Sequence, residues 1–100
     1  MKVVWTKEAL EQLVEIEAFI ARGSSARANE FVERLIKRGQ SLARFPYRGR
    51  IVPEFSQPEI REIFEKSYRI VYRIHKARVE ILTVFEGHRL LRKDEISPTQ

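Results

Sequence analysis

The chain has no cysteine among its 100 residues. That excludes a disulfide framework, a thiolate nucleophile and a cysteine-ligated metal site, and it suits a reducing compartment. Histidine is almost as scarce, with two residues, and no His/Asp/Glu pattern has the spacing of metal ligands. There is no Gly-rich phosphate loop and no serine placed as an elbow nucleophile, so no cofactor and no metal are expected. No apolar run approaches the roughly 20 residues that a membrane span needs. The first residues lack the apolar core of a signal peptide; the expectation is a cytoplasmic protein. Repeats and low-complexity tracts are also missing. Acidic residues are the scarcer charge: 19 Lys+Arg against 14 Asp+Glu give a net charge of +5. Such a surplus favours an acidic partner, either nucleic acid or an acidic protein segment.

What the chain does have is concentrated between residues 58 and 88. Three apolar-rich runs, 60–64, 68–74 and 79–85, are parted by polar joints at 65–67 and 75–78. Tyr, Ile, Val and Phe dominate them, which suits a pleated, half-buried surface. In the middle run Tyr68, Ile70, Tyr72 and Ile74 point one way, and Arg69, Val71, Arg73 and His75 the other. The joints are too short for a crossover helix, so the three strands form an antiparallel meander.

Before this comes a short β-type run, 2–5, with Thr6 as the N-cap of a helix over 7–22. Ala9, Leu13, Ile16 and Ile20 make its apolar face, with Leu10 and Phe19 widening it. Gly23 closes that helix as a C′ residue, and Ser24 or Ser25 caps a second one over about 26–43. On the second helix Ala28, Val32, Leu35, Gly39 and Leu42 share a face. Gly39 there implies close packing against the sheet or the first helix. Only about three residues separate the helices, so they form an antiparallel αα-hairpin. Phe45-Pro46 ends the second helix. Residues 47–57 read as an ordered surface loop anchored by Ile51, Val52 and Phe55. Residues 88–95 read as a charged tail or short helix and 97–100 as a frayed end. The expectation is one α+β domain over residues 1–96 in the order β-α-α-β-β-β. Its N-terminal αα-hairpin packs on an antiparallel sheet that ends in a three-strand meander.

The combination of VVWTKEALEQLVEIEAFIA, RANEFVERLIKRGQSLARFPYRGR, IREIF, YRIVYRI and VEILTVFEGHR resembles the RelE/ParE superfamily of toxins from toxin–antitoxin modules. The likeness is closest to the ParE branch, known as plasmid-stabilisation proteins. It implies a RelE/ParE-like fold and a cognate antitoxin as neutralising partner. ParE-type members inhibit DNA gyrase by binding and trapping cleaved DNA. RelE-type members cut messenger RNA on the ribosome, and a degenerate member would bind its antitoxin without toxicity.

RelE-type ribonucleases carry a GHR-like segment followed closely by a tyrosine. Here Gly87-His88-Arg89 matches the first half, but residues 90–95 offer no aromatic hydroxyl. A ribonuclease would need His88 to titrate and Arg61, Arg69, Arg73 and Arg89 to stabilise the phosphorane. The missing tyrosine favours action by binding rather than by chemistry, so no catalytic residue is expected. Under that reading Arg48, Arg50, Arg61, Arg69, Arg73 and Arg89 are the candidate contacts for target or antitoxin. Trp5, Tyr68 and Tyr72 read as core or groove lining rather than stacking platforms, since the sheet needs aromatics in any case.

Overall fold

The structure is a computed structural model and describes residues 1–87; the tail or helix expected over 88–95 lies outside them. Strand β1 (Lys2–Trp5) leads through Thr6 into helix α1 (Lys7–Ala21), and the Thr6 hydroxyl accepts from the Ala9 amide as the N-cap. Helix α2 (Ser25–Gln40) is capped in the same way by Ser24 and ends in a single 3-10 turn, Ser41–Ala43. Strands β2 (Arg50–Ile51), β3 (Ile60–Glu65), β4 (Tyr68–Ile74) and β5 (Arg78–Glu86) complete the chain. Gly23 follows α1, but without the left-handed backbone of a glycine cap, since no glycine has positive φ.

The sheet order is β1-β5-β4-β3-β2. The expected meander is present, with β3–β4 and β4–β5 antiparallel. The sheet as a whole is mixed, because β1 pairs with β5 in parallel, Val3 opposite Val79 and Trp5 opposite Ile81. Connectivity explains this departure from an all-antiparallel sheet. Two antiparallel helices return the chain to the end of the sheet it left, so β2 runs opposite to β1. Three antiparallel steps later β5 runs with β1. Residues 50–51, read as loop, form a two-residue edge strand, with Arg50 opposite Glu62 and Ile51 opposite Arg61.

Both helices cover one face of the sheet. Ala9, Leu13 and Ile16 of α1 and Phe31 and Leu35 of α2 bury against Ile70, Tyr72, Ile74, Val79, Ile81 and Val84. Leu10 and Phe19 do not widen that face; both are largely exposed, as the helix turns them past the sheet. Gly39 is where α2 comes closest: a Cβ there would meet the Trp5 ring at 2.5 Å and Ile81 at 2.8 Å. The opposite face carries a smaller cluster, in which the loop contributes Val52 and Phe55 against Ile60, Val71, Leu82 and Phe85.

A register shift between Val71 and Tyr72 marks a bulge in β5, where Val71 faces Thr83 and Tyr72 faces Ile81. A bulge leaves ladder groups in need of other partners. The Gln12 side-chain oxygen accepts from the Val84 amide at 2.7 Å, and its amide donates to the Thr83 hydroxyl at 2.8 Å. The Thr6 hydroxyl donates to the Leu82 carbonyl at 3.0 Å. Thr6 and the first helix thus hydrogen-bond β5 beside the bulge and just past the end of β1.

Candidate functional site

Alternation along β3 and β4 sends Glu62, Arg69 and Val71 away from the helices, onto the face that the loop 52–57 partly covers. Arg69 is only 5 % exposed. Its Nε donates to Glu62 Oε1 at 2.7 Å, its Nη1 lies 3.5 Å from Glu54 Oε2, and its guanidinium carbon sits 5.2 Å from the centre of the Phe85 ring. Glu62, itself buried, also takes the Nε of Arg50 at 2.5 Å. Arg50 is exposed and lies against Phe64. A buried carboxylate between two guanidinium groups offsets the cost of taking charge out of water. The basic face expected from strand parity is therefore largely neutralised within the fold at this point.

Arg61 acts as a clasp on the loop. Its Nε donates to the Pro58 carbonyl at 2.8 Å and its Nη1 to the Gly49 carbonyl at 2.9 Å, while the guanidinium covers the Tyr47 ring at 5.0 Å. Below it, the buried Tyr72 hydroxyl accepts from the Gly49 amide and donates to the Pro46 carbonyl at 2.7 Å. Burial raises the Tyr72 pKa, an effect opposed by the Gly49 hydrogen bond and by the nearby Arg61 and Arg48 charges. Gly49 cannot carry a side chain here, because a Cβ would meet the Glu62 carbonyl at 2.5 Å. The path from Pro46 to Arg50 is held from beneath at three points.

The outer surface of that path is different. Arg44, Phe45, Pro46, Tyr47 and Arg48 line an open depression of about 500 Å³. Phe45 is 55 % and Tyr47 63 % exposed, and Arg44 lies 5.8 Å from the centre of the Phe45 ring. Arg48 donates to the Ser41 hydroxyl at 2.9 Å and faces solvent. Among the described residues, neither Arg44 nor Arg48 is paired with a carboxylate.

The candidate arginines therefore do not converge on one patch. Arg48 and Arg50 are exposed on the loop and edge strand, Arg61 is half-buried as the loop clasp, and Arg69 is inside. Arg73, on the same side of β4 as Arg69, reaches Glu59 at 3.9 Å. His75 Nε2 lies 2.9 Å from Glu80 Oε1, in the joint between β4 and β5. His88 and Arg89 lie outside the described residues. Arg44 and Phe45 were not legible as site residues, since Phe45-Pro46 reads as punctuation after a helix. The one available signal was charge: residues 34–53 contain no Asp or Glu. Among the described residues no group of His, Cys, Asp and Glu could hold a metal ion, and no helix is long and apolar enough to cross a membrane.

Two helices on one face of a five-stranded mixed sheet, with a short β2 and a C-terminal meander, define an α+β fold. A solved structure described as the chromosomal ParDE TA system from P. aeruginosa superposes with a TM-score of 0.72 at 19 % identity. The match covers 86 % of this chain and 95 % of that one. At that identity the likeness speaks for the fold. The family model for the ParE toxin of the type II toxin-antitoxin system, parDE, matches residues 3–91, and the chain belongs to that family. Membership supports a toxin role and implies an antitoxin as its partner. No curated protein matches the sequence.

Proposed function

We propose that the chain is a cytoplasmic ParE-type toxin that inhibits DNA gyrase by binding it and trapping cleaved DNA, and that a cognate antitoxin neutralises it. The family match over residues 3–91 carries this reading. The internal partners of the strand arginines support binding over catalysis. A phosphorane must be reached by the cations that stabilise it, yet Arg69 is buried against Glu62 and Glu54, and Arg61 donates to two loop carbonyls. Two of the cations that messenger-RNA cleavage would call on thus serve the fold. A role in plasmid stabilisation follows if the module resides on a plasmid.

The test is a cleavage assay with purified protein, supercoiled plasmid, gyrase and ATP, stopped with detergent and protease. Linear DNA should rise with added protein and vanish when antitoxin is present. Unimpaired supercoiling without linear DNA, from folded protein, would sink the gyrase reading. Cut message from translating ribosomes would then replace it with ribonuclease action, and intact message would leave antitoxin binding alone.

A further inference from the structure

We propose that the surface formed by Arg44, Phe45, Tyr47 and Arg48 is a binding site for single-stranded DNA, with unpaired bases stacked on the two rings and phosphates held by the two guanidinium groups. The inference rests on the gyrase reading only in choosing DNA over RNA, since a staggered cut exposes unpaired bases.

The first observation is exposure. Phe45 and Tyr47 are the most exposed rings near the loop, at 55 % and 63 %, two residues apart on a segment that Arg61 and Tyr72 fasten from below. Apolar rings held in water on an anchored backbone lose little entropy on binding. The second is charge. From residue 34 to residue 53 the chain carries Arg34, Lys37, Arg38, Arg44, Arg48 and Arg50 and neither Asp nor Glu. Glu65 reaches back to Arg34 and Arg38, and Glu62 to Arg50; among the described residues that leaves Lys37, Arg44 and Arg48 without a carboxylate partner, the two arginines beside the rings. The third is shape. The depression is open, about 500 Å³ in volume, and lined by Arg44, Phe45, Pro46, Tyr47 and Arg48. It is formed by one short segment, which suits a strand laid across it better than a folded protein surface. Aromatic platforms flanked by arginine bind single strands with little regard to sequence, because every base has a π-face.

The experiment measures anisotropy of a labelled 20-nucleotide oligothymidylate titrated with the full chain, between about 50 and 200 mM salt. Wild-type protein should bind, with affinity falling steeply as salt rises. The Phe45→Ala/Tyr47→Ala double variant should bind about ten-fold or more weakly. Arg44→Gln/Arg48→Gln should lower the salt slope by about 1.4, at roughly 0.7 per phosphate contact. Both pairs are exposed, so circular dichroism should match wild type, and Phe45→Trp should retain binding and have its new emission quenched by the oligonucleotide. Absence of binding at the lowest salt, or equal binding by the ring-deleted variant, would overturn the assignment. So would polyglutamate competing as well as oligothymidylate, which would make the site one for acidic protein, or tighter binding of oligouridylate. The gyrase reading fails separately: ring-dependent oligonucleotide binding without gyrase trapping keeps this site and discards that function. Trapping without ring-dependent binding does the reverse.

Discussion

Glu62 and Arg69 meet diagonally across the β3–β4 ladder: Glu62 stands opposite Val71 and Arg69 opposite Phe64, yet Arg69 Nε reaches Glu62 Oε1 at 2.7 Å. The diagonal is within reach of a long side chain, and both residues are buried. Arg50 and Glu54 extend the pair towards solvent on either side, so the network joins β3, β4, the edge strand and the loop.

Breaking that pair on one side should be costly. Arg69→Met leaves the buried Glu62 carboxylate with Arg50 alone, and removal of one partner of a buried ion pair costs about 3–5 kcal/mol. Glu62→Leu/Arg69→Met should recover most of the loss, because Arg50 and Glu54 can turn to water. Urea denaturation followed by Trp5 fluorescence measures both. A single variant as stable as wild type would refute the structural role.

Gly39→Ala should destabilise the protein although alanine favours a helix interior by roughly 1 kcal/mol over glycine. The added methyl would press on the Trp5 ring and Ile81, and overpacking costs about 1–3 kcal/mol. Trp5 is the sole tryptophan, so its emission should shift in the folded state as well. A raised melting temperature with unchanged emission would mean that α2 has room to spare.

Gln12→Leu should lower stability by about 1–3 kcal/mol, since it leaves the Val84 amide without its acceptor at the bulge. Gln12→Glu keeps an acceptor for that amide and should lose less. Hydrogen exchange at Val84 is the decisive measurement: protection should fall in the leucine variant and persist in the glutamate one.

Tyr72 should make stability fall at high pH. Burial raises its pKa in the folded protein above the ordinary value of 10.0, so the folded state holds the phenolic proton more tightly than the unfolded one. That contribution is fully present below about pH 10 and is lost as pH climbs through the folded value. Tyr72→Phe should flatten the stability profile above about pH 10. At neutral pH it should cost about 1–3 kcal/mol, because the Gly49 amide and the Pro46 carbonyl lose their partner. A variant whose profile still falls as steeply would assign the effect to another group, such as Tyr68, whose pKa is raised by burial and by Glu86.

The local elements were legible because their causes are local. Thr6 and Ser24 cap the helices as their side chains require. Alternation in 68–74 sorted Tyr72 and Ile74 to the helix side and Arg69 and Val71 to the other. Gly39 on an apolar stripe announced a close approach, and Trp5 proved to be what approaches. The expected binding arginines were harder to read, because charge says that a partner exists and not which one. Arg69 found Glu62 and Glu54, Arg61 found backbone carbonyls, and Arg48 stayed in water.

By itself, then, the sequence determined the two helices and their N-caps, the meander and the absence of thiol chemistry, since each follows from periodicity, capping or composition within a few residues. Only the tertiary structure decided the parallel pairing of β1 with β5, the repair of the bulge by Gln12, and which arginines face inward. Those depend on groups 70 or more residues apart in the chain for Gln12 and its partners, and on the competition between carboxylates, carbonyls and water for the same guanidinium groups.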